Sequence, residues 1–212
     1  MPARVISITR SLASGDKDIG RIVADELGFS FLDNEIIQLA AEKAGVSPEE
    51  VDRAEHTKPL LARIHEVLGS PSLSISTTHP MESMSQEQLI SPPPSVSNRQ
   101  MIQKVIYEAA EKGNVVIAAH ASGFHLAGME GLLRVFVIAS VDVRVERLRQ
   151  MTKLNAQDAR RAIEKDDKER QSYLRRFYDV RQELPTHYDL VINTDMITSS
   201  VAAHLIVTAA KS

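Results

Sequence analysis

Short apolar runs of strand length recur along this chain, and between them the pattern switches to the spacing of a helix. The runs are Val5–Ile8, Phe29–Leu32, Val115–Ala119, Leu133–Ala139 and Leu190–Asn193. Val115-Val116-Ile117-Ala118-Ala119 is apolar throughout, as expected of a parallel strand covered on both faces. Helical periodicity occupies about 17–27, 34–43, 99–112, 141–151 and 199–210, with a long charged helix over 155–176. Strands separated by helices need crossover connections, which are right-handed. The pattern therefore predicts an α/β fold: a parallel sheet with helices on both sides.

Local signals set several boundaries. Ile19, Ile22, Val23 and Leu27 line one face of the first helix, and Gly28 stands where a helix stops. Ser47-Pro48-Glu49-Glu50 has an N-cap residue, a first-turn proline and first-turn acids, so a helix is expected to start near Pro48. Asn155 with Asp158 three residues later predicts the start of the charged helix. Residues 69–98 are rich in serine, threonine and proline, ending near Ser91-Pro92-Pro93-Pro94-Ser95. Such a segment buries too little apolar surface to offset its ordering entropy. It is expected to be a mobile insert within one domain, 1–212, and a place where a protein partner could bind.

Composition narrows the classes of function. The chain has 28 acidic and 25 basic residues, a net charge of −3, so no whole-chain basic field draws it to nucleic acid. Tryptophan is absent and aromatics make up 4%, which disfavours base-stacking platforms. With no cysteine there is no disulfide, thiolate metal site or cysteine nucleophile. No stretch approaches the ~18 apolar residues of a membrane span, and no charged lead-in marks a secretory signal. A cytoplasmic protein with a small-molecule partner, and neither nucleic acid nor membrane, is expected.

Between the first strand and first helix lies Thr9–Asp16, with Lys17 at its end. In an open α/β sheet this is the ligand-binding edge. Loop amides and the helix dipole converge there on a site for anions, and a lysine adds a mobile cation. Ser14 and Gly15 are small enough for a tight curl. Against the usual glycine-rich phosphate loop, Ser11 and Asp16 stand at the two glycine positions and Asp18 at the hydroxyl position. A polar turn with Asp16 capping the helix satisfies the same residues.

Thr9-Arg10-Ser11-Leu12-Ala13-Ser14-Gly15-Asp16-Lys17-Asp18-Ile19-Gly20 resembles the S-R-E-x-G-S-G-G-R-E-I-[AG] loop of the cytidylate kinase-like family. Phe31–Ile37 is similar to its F-Y-D-K-E-L-I segment, Asp167–Tyr173 to its D-K-E-R-x-x-Y helix, and Tyr188–Thr194 to its Y-D-L-x-I-N-T end strand. Asn114–Ile117 and Arg134–Val137 resemble its third and fourth strands. The likeness spans nearly the whole chain outside the Ser/Pro-rich insert. It implies a P-loop NTPase-like fold: a five-stranded parallel sheet, a helical acceptor-binding region and an arginine-bearing lid. It further implies transfer of the ATP γ-phosphate to CMP, dCMP or a related nucleoside monophosphate, with Mg²⁺.

The resemblance and the loop chemistry together name the expected site. Lys17, with the amides of Ser14, Gly15 and Asp16, is expected at the donor phosphates. Asp18 is the candidate metal ligand, through water, and is otherwise a solvated first-turn acid. Asp33 is expected on the acceptor side, and could alternatively cap the helix from Asn34. Arg170 offers a planar fork for phosphate, and Asp167 could orient it or meet the metal shell. A solvated charged helix is the alternative for both. Two departures bear on activity. Where the family carries glycine-arginine-glycine, this chain has Ala119-His120-Ala121, so His120 replaces a permanent acceptor-phosphate cation. Asp16 places a carboxylate in a cup meant for anions, a repulsion of about 1 kcal/mol per charge pair at ~4 Å in water and about 4 at intermediate dielectric. Alongside an active kinase, the sequence therefore allows a catalytically impaired relative that binds a nucleotide or a protein and acts as a regulatory module.

Overall fold

The computed structural model describes residues 2–15, 18–33, 41, 45, 94–118 and 121–212. The helices expected over 34–43 and from Pro48, and residues 69–93 of the insert, lie outside the described residues, apart from the helical residue 41. The chain divides into two compact units, Met1–Ile36 with Gln103–Ser212, and Ile37–Ile102. Of the second, the described residues are 41, 45 and 94–102.

The elements in chain order are β1 (Val5–Arg10), α1 (Asp18–Leu27), β2 (Ser30–Leu32), α2 (Pro94–Lys112), β3 (Val115–Ile117), α3 (Ser122–His125), β4 (Leu132–Ile138), α4 (Val141–Met151), α5 (Ala156–Tyr178), β5 (Leu190–Asn193) and α6 (Ser199–Lys211). The five strands form one sheet in the order β2-β3-β1-β4-β5, and every pairing is parallel. This is the expected α/β, five-stranded parallel sheet. From β1 the chain crosses beyond β3 to β2, whereas from β3 it crosses back over β1 to β4. The direction of winding reverses between β1 and β3, which opens a crevice at their carboxyl ends.

The two faces of the sheet are chemically different. Ile6, Ile8, Val135, Val137 and Ile192 pack with Ile19, Val23 and Ala24 of α1 and with Ala202, Ala203, Ile206, Val207 and Ala210 of α6. Fully burying a side chain such as Ile6 or Ile206 stabilises the fold by roughly 1.5–3 kcal/mol. The other face carries Ser7, Thr9 and Phe136, with Thr9 and Phe136 paired in register. An aromatic cluster covers it. Tyr188 stacks on Phe136 at 4.7 Å, and Phe124 of α3 meets Tyr188 edge-on at 5.9 Å and Tyr178 of α5 at 5.7 Å. Helix α1 approaches β2 so closely that a Cβ on Gly20 would lie 2.6 Å from Phe31.

The helix ends follow their sequence signals, with one shift. Gly28 takes φ 67°, and Phe29 N–H donates to Ala24 O at 2.8 Å, closing α1. Asn155 accepts from Asp158 N–H at 2.9 Å, as the cap spacing predicts. Helix α2 starts at Pro94, five residues before the expected Arg99 and inside the segment expected to be mobile. Proline suits a first helical turn, where its missing N–H is not needed. The one-turn helix α3 and the 3₁₀ turn Pro185–His187 are too short to produce a period in the sequence. Among the described residues no helix is long and apolar enough to cross a membrane.

Arg134 of β4 ties down the start of β5. Asp189 Oδ2 accepts from its backbone N–H at 2.8 Å and from Nε at 3.1 Å, and Oδ1 accepts from Nη2 at 2.8 Å. These bonds hold the Asp189 carboxyl below its ordinary value against the opposing effect of burial. A carboxyl depressed on folding stabilises above its unfolded pKa, 3.8, and loses that contribution as pH falls through the lower folded value. Asp189→Asn is therefore expected to narrow the loss of stability as pH falls from about 5 through 3.8 and below. Urea unfolding of both forms across that range checks this; an equal loss in both would remove Asp189 from the acid response.

Candidate functional site

The segment after β1 leaves the central strand at the crevice and curls before α1. Ser11 N–H donates to Val137 O at 3.2 Å, and Ser14 N–H donates to Ser11 O at 3.0 Å. Between them Ala13 takes φ 59°, the left-handed region that glycine favours. An L-residue there costs roughly 1–2 kcal/mol, so the surroundings must hold it.

They do so from three elements. Arg144 of α4, 4% exposed, donates from Nε to Leu12 O at 2.7 Å. Arg147 donates from Nη1 to Ser14 O at 3.0 Å and to Thr194 Oγ1 at 2.9 Å, and from Nη2 to Thr194 O at 2.6 Å. Thr194, which follows β5, also donates its hydroxyl to Ser14 O. Ser14 is fully buried and donates its own hydroxyl to Val137 O at 2.8 Å. The carbonyls of Leu12 and Ser14 thus point toward guanidinium groups behind the loop. Among the described residues the N–H groups of Ala13 and Gly15 have no acceptor. A Cβ on Gly15 would come within 2.9 Å of Ile19 Cδ1, so a larger residue there would displace the end of that side chain. Carbonyls held from behind in this way are a feature that a phosphate-receiving loop requires.

The expected site residues fall into three groups. Asp16, Lys17 and His120 lie outside the described residues. Gly15, Asp18 and Asp33 lie along the carboxyl edge of the sheet: Gly15 on the loop, Asp18 exposed at the start of α1, and Asp33 half-buried after β2. The third group is engaged within the protein in this conformation. Both hydrogen-bond donors of Ser14 are taken, the amide by Ser11 O in the loop and the hydroxyl by Val137 O of β4, so its amide is not presented to a ligand in this conformation. Asp167 is held by Arg144, its oxygens accepting from Nη1 at 2.9 Å and Nη2 at 2.8 Å, and it does not orient Arg170. Arg170 donates from Nε and Nη2 to the two carboxylate oxygens of Glu183 at 2.8 and 2.6 Å, and from Nη2 to Tyr188 Oη at 3.4 Å. Its guanidinium lies 5.7 Å from the Phe136 ring centre. Burial works to lower the Arg170 pKa, and the bonds and charge of Glu183 more than offset it. Burial foremost pushes the Tyr188 phenol up, keeping it neutral and a donor to Glu183.

Arg144, Arg147 and Thr194 had no assigned role in the sequence. The available signal was Arg144, a charge beside Val145 and Leu148 on the side that α4 buries. A buried charge needs a partner, and here the partners are the Leu12 carbonyl and the half-exposed Asp167. A second crevice contact joins β1 to the segment after β3. Ser7 Oγ and Ser122 Oγ, both buried, are 2.7 Å apart. Among the described residues no group of three or more His, Cys, Asp or Glu side chains could enclose a metal ion.

Comparisons with known proteins bear on the fold and the family. The structure is similar to that of an uncharacterised protein from Eubacterium ventriosum, with TM-score 0.64, 14% identity and 97% of each chain covered. It is also similar to shikimate kinase from Acinetobacter baumannii in complex with shikimate, with TM-score 0.50, 15% identity, and 98% of this chain and 92% of the other covered. Shikimate kinase from Bacteroides thetaiotaomicron gives TM-score 0.50 at 14% identity, with 97% of each chain covered. At these identities the likeness is one of fold, that of the P-loop kinases. No curated protein matches the sequence. The profile of the cytidylate kinase-like family matches residues 5–196, nearly the whole chain, and the protein belongs to that family.

Proposed function

We propose that this protein transfers the γ-phosphoryl group of ATP to a nucleoside monophosphate, with CMP or dCMP as acceptor. The observation that carries the reading is the loop of residues 11–15 at the crevice, its Leu12 and Ser14 carbonyls bound from behind by Arg144 and Arg147. Phosphoryl transfer asks a protein mainly for positioning and charge neutralisation, which such a cradle supplies. In this reading the Ala13 and Gly15 amides, with that of Asp16 and the ammonium of Lys17, hold the donor phosphates. Asp33 and His120 take the acceptor side, and Asp18 accepts from water on Mg²⁺. The small number of acids here suits Mg²⁺, which keeps most of its water and is held largely by the phosphates. The ion would supply further charge neutralisation on the transferring group. Arg170 joins the phosphates by exchanging Glu183 for them.

The engagement of Arg170 by Glu183 and of Asp167 by Arg144 also favours a second reading, a module that binds nucleotide without turnover. Two measurements separate the readings. ATP with Mg²⁺, and CMP, each at one hundred times its dissociation constant, are expected to stabilise the fold by about 2.7 kcal/mol. ADP is then expected to form when both are present. Stabilisation without ADP favours the module, and no stabilisation by any nucleotide rejects both.

A further inference from the structure

A loop that receives phosphate must keep its carbonyl oxygens away from the anion. Glycines ordinarily let the backbone reach that shape at little cost. Here Ala13 occupies the left-handed position, so the shape must be imposed. Three donors impose it. Arg144 reaches Leu12 O, while Arg147 and the Thr194 hydroxyl share Ser14 O. The Arg147 fork is bound on both arms, since it also takes Thr194 Oγ1 and O. Arg144 does a second thing: it ties the loop to Asp167 of α5, one turn before Arg170.

We propose that Arg144 and Arg147 are positioning residues of the donor site, holding the Leu12–Ser14 backbone in its anion-receiving form in place of loop glycines. Neither needs to touch the nucleotide. Their guanidiniums act through the carbonyls they bind, the charge of Arg144 being paired with Asp167. The proposal rests on the phosphoryl-transfer reading for its ligand and on the hydrogen bonds for its geometry.

Arg147→Lys is the discriminating variant, because lysine keeps the charge and loses the planar fork. It is expected to unfold in urea near the wild-type midpoint while KM for ATP rises about tenfold and KM for CMP stays unchanged. Exchange of the Ser14 amide, closed onto Ser11 O, is expected to quicken about tenfold, with amides of β1 and β4 unchanged. Arg144→Lys is expected to behave alike. Wild-type values for both KM and Ser14 exchange in folded variants would overturn the proposal, as would equal rises in both KM values. If the wild-type chain binds no ATP, the phosphoryl-transfer reading falls by itself. Ser14 exchange and the affinity for inorganic tripolyphosphate then decide the positioning role, and neither changing in the variants would end it.

Discussion

Replacing Lys17 with methionine is expected to lower kcat for ATP-dependent phosphorylation of CMP about a thousandfold, with the chain still folded by circular dichroism. Methionine keeps most of the length and apolar stem of lysine and removes only the cation. The remaining contributors at the loop are backbone N–H dipoles, which hold ground-state phosphates without following the charge that moves to the leaving oxygen. The loss should therefore fall on kcat and on kcat/KM alike, the pattern of an interaction made mainly in the transition state. Steady-state kinetics with ATP varied at saturating CMP measure both. Wild-type turnover in Lys17→Met would remove Lys17 from the donor site. A raised KM with kcat kept would reduce it to a binding group.

The second large effect is on stability. Glu183→Ala is expected to cost about 2 to 3 kcal/mol, because it leaves the Arg170 guanidinium in a mostly buried place without its counter-charge. The two side chains are 22% and 12% exposed, so solvent screens the pair only in part. Tyr188 loses the acceptor of its hydroxyl at the same time. Urea unfolding of Glu183→Ala, Arg170→Ala and the double variant forms a cycle that isolates the pair. The double variant is expected to be more stable than Glu183→Ala, since it no longer strands a charge. A loss below about 0.5 kcal/mol would place Arg170 off Glu183 in solution, as for an exposed ion pair, and available to phosphate.

Much of the fold was legible in the residues. Helix α4 spans Val141–Met151 as its periodicity predicts, and β5 spans Leu190–Asn193. The cap of α5 on Asn155 follows from a short polar residue three positions before Asp158, a purely local relation. The start of α2 was not legible, because the prolines that make its surroundings look unstructured also suit a first helical turn. At the site, the small residues Ser14 and Gly15 foretold a tight loop. That Ser14 would spend its hydroxyl on β4, and that Ala13 would take φ 59°, depends on contacts with Val137, Arg147 and Thr194. Val137, Arg147 and Thr194 lie more than one hundred residues away in sequence. Periodicity tells that Arg144 lies on the inner side of a helix. Only the fold tells that the inner side meets the carbonyls of a loop from the other end of the chain.

The aromatic covering of the second sheet face gives the molecule an optical property. It has four tyrosines and no tryptophan, and Tyr173, Tyr178 and Tyr188 gather beside α5. Near-ultraviolet emission therefore comes from tyrosine, and Tyr188, in contact with Arg170, donates its hydroxyl proton to the Glu183 carboxylate, a contact that dims phenol fluorescence. Any ligand that draws Arg170 from Glu183 would change that brightness, so the native chain carries its own unlabelled dye for following the movement in a stopped-flow cell.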